Sequence, residues 1–102
     1  MAPEDLDDAH ATLCKVFTHP TRIRILLALE DGPLCVQELA DLLGVRQPTL
    51  SQHLAPLRSV ELVRSQRKGR TVCYRLANRR MLRPFHLMRR ELRRQYPHLR
   101  ED

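Results

Sequence analysis

The sequence contains no tryptophan, and two tyrosines and two phenylalanines are its only aromatic residues. So few rings exclude the stacking platform on which single-stranded nucleic acid is held. Long apolar runs are also missing. The longest is Ile25-Leu26-Leu27-Ala28-Leu29, whereas a membrane-spanning helix needs about 20 apolar residues. The N-terminus is acidic and lacks the apolar stretch of an export signal. A cytoplasmic location with no membrane partner is therefore expected. Cysteine is scarce: Cys14, Cys35 and Cys73 are the only three, and they are far apart. An odd, dispersed set without an export signal argues against a structural disulfide framework. Such thiols serve as packing, metal ligands or redox sensors. Motifs of catalysis are missing as well, with no HExxH, glycine-rich phosphate loop or nucleophile elbow. Ser51 and His53 lie two apart on a helical pattern and do not face each other, so no enzymatic activity is expected.

What the chain does have is cationic charge in one half. From Arg58 onward 14 Lys and Arg face 4 Asp and Glu, whereas up to Leu57 the counts are 4 and 8. A basic half on a small domain is the electrostatic footprint of a polyanion binder. Apolar residues make up 42% of the 102, which fits one folded domain over residues 1–102. A domain of this size buries a modest core and gains from a partner subunit.

Apolar spacing predicts a first helix over 4–18, with Leu6, Ala9, Leu13 and Val16 on one stripe. His19-Pro20 ends it. A second helix runs over 20–29, with Ile23, Leu26 and Leu27 inward and Arg22 and Arg24 wet. After the turn Asp31-Gly32-Pro33, a short helix spans 36–43 and stops at Gly44. The next runs over 47–60, with Leu50, Leu54 and Leu57 buried. Residues 62–66 and 71–76 read as strands joined through Lys68-Gly69-Arg70. The last helix covers 79–95 and bends or restarts at Pro84. Its residues Met81, Phe85, Met88 and Leu92 form a coiled-coil-like seam. Together with Leu6 and Leu13 they are the expected dimer interface. The fold class is thus mainly α with a small two-stranded β-wing, in the order α-α-α-α-β-β-α.

The helices over 36–43 and 47–60, joined by Gly44-Val45-Arg46, have helix-turn-helix spacing. That unit places its second helix in the major groove of duplex DNA. The residue types suit the task. Arg46, Gln47, Thr49, Ser51, Gln52 and His53 project from the start of that helix, where glutamine pairs bidentately with adenine and arginine with guanine. Arg64, Arg67, Lys68 and Arg70 add cations on the wing for the phosphate backbone.

The segments HPTRIRILLAL, VQELADLLGVRQPTLSQHLAPLR and LVRSQRKGRTVCYRL resemble the ArsR/SmtB family of winged helix-turn-helix repressors, over about residues 13–92. The resemblance implies a homodimer built on the first and last helices. It also implies a palindromic operator and an inducer that releases the DNA. Two positions depart from the family pattern. Glu61 stands where glycine is usual after the recognition helix, and Pro56 lies inside that helix, where a kink is expected.

The resemblance also bears on what is sensed. Family sensors of soft metals carry Cys-x-Cys where this chain has Cys35-Val36-Gln37, so one thiol matches and one is missing. A site for arsenite, antimonite or another soft metal would have to recruit Cys14 or Cys73. The family's interfacial zinc positions read Asn78, Arg80, Glu91 and Arg94, which replaces ligands with cations. Cys73 and Cys14 read best as packed side chains, and Cys35, before a helix N-terminus, as the reactive thiol. The expected function is a DNA-binding repressor released by a thiol-reactive inducer, metalloid or oxidant. A DNA-binding repressor without thiol sensing, or a winged helix that binds protein, is the alternative.

Overall fold

The structure, a computed structural model, describes residues 4–99. In chain order it contains α1 (Leu6–Val16), α2 (Pro20–Ala28), a 3-10 turn (Leu29–Asp31), β1 (Leu34–Cys35), α3 (Val36–Leu43), α4 (Gln47–Ser59), β2 (Val63–Lys68), β3 (Thr71–Leu76), a second 3-10 turn (Arg79–Leu82) and α5 (Arg83–Gln95). None of these helices is long and apolar enough to cross a membrane.

The expected elements are present, with differences that have local causes. α1 starts at Leu6 because Asp5 caps it, its carboxylate accepting from the Asp8 amide at 2.8 Å. That contact satisfies one of the orphan donors of the first turn. The last helix does not bend at Pro84. It restarts there, a 3-10 turn giving way to α5 with Pro84 in its first turn. α4 continues through Pro56 as one element. The wing is longer than expected, since Lys68 still belongs to β2.

The sheet corrects the fold class in one respect. It has three strands, in the order β1-β3-β2, all antiparallel. Leu34 and Cys35 pair with Tyr74 and Cys73. A two-residue strand carries no readable alternation, which is why it is invisible in the pattern.

α2 is rotated from the expected setting. Ile25, Leu26 and Leu29 are buried, whereas Ile23 and Leu27 are only half-buried. These side chains meet Leu39 and Ala40 of α3, Leu50, Leu54 and Leu57 of α4, and Val63, Tyr74 and Leu76 of the sheet in one core. That core fixes α4 against α2 and the wing by its buried leucines and leaves its opposite face in solvent.

Two helices end in the same closure with different residues. After α3, Gly44 donates to Asp41 and Val45 to Ala40, with Gly44 at φ 67°. After α4, Glu61 donates to Arg58 and Leu62 to Leu57, with Glu61 at φ 61°. Both are Schellman closures, whose left-handed residue is normally glycine. The Glu61 side chain opposes its own backbone there. Glu61→Gly is therefore expected to stabilise the fold by about 0.5–1 kcal/mol, the left-handed penalty less glycine's greater chain entropy. Urea unfolding of Glu61→Gly beside the charge control Glu61→Gln measures it. Equal midpoints for the two variants would reject the backbone cause.

Candidate nucleic-acid interface

α3 and α4 are set by the turn Gly44-Val45-Arg46, in which Arg46 is the N-cap of α4 and Pro48 occupies its first turn. Proline is favoured there because the missing N–H is one of the orphan donors anyway. Burial of Leu50, Leu54 and Leu57 turns the other side of the same helix outward. Arg46, Gln47, Thr49, Ser51 and Gln52 are all exposed on it. The wing adds Arg64, Arg67, Lys68 and Arg70, likewise exposed. Between Leu42 and Arg90 the sole acidic residue is Glu61.

Two residues that the sequence pattern did not single out organise this face. Gln37 of α3 accepts from the side-chain amide of Gln47 and donates its own amide to Asp41 at 2.9 Å. Gln47 is thereby held at the start of α4 by a neighbour on the preceding helix. Arg22, expected to be wet, is half-buried and donates its Nε to Nδ1 of His53 at 3.3 Å. Its Nη1 donates to the Val16 carbonyl at 3.5 Å.

His53 therefore departs from the group in which its spacing placed it. Its ring turns along the flank of α4 toward α2 and lies 5.5 Å from the ring of His19. Burial first, then the charges of Arg22 and His19, hold its pKa below the ordinary value of 6.5. The folded state then binds fewer protons than the unfolded chain. Its contribution to stability is complete above pH 6.5 and is lost as pH falls from there through the lowered folded value. Wild type is expected to melt progressively lower on that side of neutrality and His53→Gln to show a flatter profile. Parallel profiles would remove His53 as the cause.

The cysteines are arranged otherwise than expected. Cys35 and Cys73 are joined in a disulfide between β1 and β3, with their Cα atoms 3.7 Å apart. Cys73 is buried, as a packed side chain would be, but it is a bonded partner. The bond closes a segment of sequence separation 38, which contains α3, α4 and β2. Cys35 is also the N-cap of α3, and its amide donates to Glu38 at 2.9 Å. Cys14 is a free, exposed thiol on α1. Among the described residues no three His, Cys, Asp or Glu side chains gather as a metal site would require.

The seam on the last helix divides in two. Met81 and Phe85 pack on the core of their own chain, and Phe85 meets Phe17 edge to face at 4.3 Å. Met88 is 66% exposed, Leu92 42% and Leu6 83%. With half-buried Leu13 they border a groove of about 300 Å³ between α1 and α5, except Leu6, which lies beyond it. His86 on another face of α5 pairs with Glu30 at 2.7 Å and fixes α5 on the turn after α2.

Residues 19–65 match the family model of the bacterial regulatory protein, arsR family. The biofilm growth-associated repressor of Xylella fastidiosa is 37% identical over 79 residues, which are 74% of this chain and 69% of that protein. The chain belongs to the arsR family of bacterial regulatory proteins. The match to the transcriptional repressor SmtB of Mycobacterium tuberculosis is 43% over 76 residues, 74% of this chain. The arsR-family chain spans 56% of the length of SmtB. It also superposes on the homodimeric winged helix-turn-helix DNA-binding domain of Mb0332 from Mycobacterium bovis, with a TM-score of 0.80 at 28% identity over 100% of this chain and 99% of that one. The winged helix-turn-helix fold of this arsR-family protein is thus the one its spacing implied.

Proposed function

We propose that this chain is a DNA-binding transcriptional repressor that acts as a homodimer on a palindromic operator in the cytoplasm. The observation that carries the reading is the solvent face at the start of α4, where Arg46, Gln47, Thr49, Ser51 and Gln52 are all exposed, flanked in sequence by a wing without acidic residues. α4 supplies base-edge donors and acceptors from Arg46, Gln47, Thr49, Ser51 and Gln52. Arg64, Arg67, Lys68 and Arg70 supply phosphate contacts. Dimerisation is supported by the exposed Met88 and Leu92 and by the homodimeric state of the Mb0332 domain.

The inducer in this reading acts on thiols, and the Cys35–Cys73 bond supports an oxidant over a soft metal. Two thiols give up two protons and two electrons to a peroxide, which leaves as two waters. A metalloid would find two thiolates here at most, since among the described residues no third His, Cys, Asp or Glu gathers with the pair. In a reducing compartment a disulfide is transient, which suits a sensor better than a structural bridge.

The test of DNA binding separates its two components. Gln47→Ala or Gln52→Ala is expected to reduce preference for a selected duplex over random DNA by about 1–3 kcal/mol. Arg67→Ala and Arg70→Ala are expected to weaken both alike and to flatten the dependence of affinity on salt. One common pattern for all four variants would overturn this division. Affinity insensitive to salt would favour a protein-binding winged helix instead.

A further inference from the structure

Arg22 stands between two helices that a DNA-binding dimer has to keep in register. Its Nε reaches Nδ1 of His53 on α4 at 3.3 Å, and its Nη1 reaches the Val16 carbonyl at 3.5 Å. Val16 is the last residue of α1, where carbonyls have no further partner inside the helix. The geometry points to Arg22 as a positioning residue for the recognition helix, tying α1 of the dimer groove to His53 and so setting where α4 stands. This rests on the DNA-binding reading above and adds a residue which that reading does not use.

The residue types explain the arrangement. A guanidinium carries its donors on three nitrogens in a rigid plane, so one group serves two acceptors in different directions. Lysine carries its donors on a single nitrogen. Because Nδ1 of His53 accepts, the neutral ring bears its proton on Nε2. No polar side-chain atom is buried without a partner among the described residues, and Nε2 has none, so it opens to solvent. There it is a donor fit for a phosphate oxygen. The charged or titratable groups facing the ring are Arg22 and His19, both on α2 or its N-cap. Protonation at Nδ1 would set two donors against each other and part the tie.

The experiment uses the full chain as wild type, Arg22→Gln, Arg22→Lys, His53→Gln and the double variant Arg22→Gln/His53→Gln. Imidazole nitrogen shifts by NMR report the tautomer and titration of His53. Affinity is measured with Cys35 and Cys73 kept reduced, because the oxidised form is expected to leave DNA, on a duplex recovered by the reduced wild type from a random-sequence pool, about 30 base pairs long to hold two half-sites. Wild type should show the single Nε2–H form at neutral pH. In Arg22→Gln that form should be lost and proton uptake should move to higher pH. Each Gln variant should lose about tenfold in affinity, of the order of one hydrogen bond to a charged group. The double variant should lose no more than either single, because the two residues act as a unit. Arg22→Lys should keep the low protonation pH and recover only part of the affinity. An Nδ1–H ring in wild type, or a His53 titration unmoved in Arg22→Gln, overturns the tie. Additive losses in the double variant overturn the positioning role. Wild type with the expected ring signal and no affinity for any duplex overturns the DNA reading and the positioning role with it, while the tie itself stands.

Discussion

Met88→Glu together with Leu92→Glu is expected to give a folded monomer. Both side chains are exposed in the single chain, Met88 by 66% and Leu92 by 42%, and neither belongs to the buried core, so the protomer core is not asked to accept a charge. In the proposed dimer each is covered. Fully burying such a side chain from full exposure contributes about 1.5–3 kcal/mol, so covering the exposed parts of two on each of two protomers contributes about 3–6 kcal/mol. Four carboxylates in the same seam would add repulsion and desolvation. A shift of that size moves the dimer well beyond micromolar concentrations. Affinity for a two-half-site duplex should then fall by about 10²–10⁴, because the second half-site no longer benefits from linkage to the first. Sedimentation velocity reads the first effect and duplex titration the second. A variant that stays dimeric would place the interface elsewhere. Phe85 is the wrong residue for this test. Its ring packs on Phe17 within the same chain, so its loss would confuse unfolding with dissociation.

Breaking the Cys35–Cys73 bond is expected to have the largest effect on stability. It closes a segment of sequence separation 38, and the chain-entropy model assigns such a loop about 4 kcal/mol. On a domain of about 100 residues that corresponds to a melting temperature lower by about 15–30 °C. Thiol titration of the oxidised native protein should find Cys14 alone and, after reduction, all three cysteines. Cys35→Ser and Cys73→Ser should melt like reduced wild type, and Cys14→Ser like oxidised wild type. A reductant that leaves the melt unchanged would show that the two sulfurs are not joined in solution. The same variants test the thiol inducer. Peroxide should release wild type and Cys14→Ser from a selected duplex, and it should leave Cys35→Ser and Cys73→Ser bound. If Cys35→Ser is released as readily as wild type, the bond is not the switch. The physical basis is position: the bond joins the N-cap of α3 to the central strand of the sheet. In the proposed switch a shift there would move the helix-turn-helix relative to the wing, and the spacing of two readers is what the proposed palindromic operator would test.

The two effects concern different parts of the molecule. In the proposed dimer the seam on α1 and α5 sets the distance between protomers, whereas the disulfide acts inside each reading unit. A variant monomeric through Met88→Glu/Leu92→Glu should therefore still lose stability on reduction. Effects of separated sites add in this way when they share no partner.

The amino-acid pattern alone determined the helix order, the helix-turn-helix and the wing, because each rests on local signals. Apolar spacing, Pro20, Gly44 and Pro48 mark helices and their ends from nearest neighbours, and α3 over Val36–Leu43 agrees with its pattern residue for residue. Glu61 stood out through the family resemblance, because glycine is usual at that position, and its φ of 61° shows the backbone demand behind that preference. The polar start of α4 and the cationic wing could likewise be read as a group. What the pattern could not contain is which distant residues meet. β1 is two residues long and exists only because β3 lies beside it, so neither the third strand nor the Cys35–Cys73 pair has a local signature. The rotation of α2, which buries Ile25 and Leu29 in place of Ile23 and Leu27, follows from packing against α3 and α4. Arg22 and His53 are 31 residues apart, and their hydrogen bond depends on the angle between α2 and α4. The seam on the last helix reads as one stripe in sequence, yet the core of the same chain takes Met81 and Phe85 and leaves Met88 and Leu92 outside. Local spacing decides which face of a helix is apolar. Only the assembled core decides what covers each part of that face.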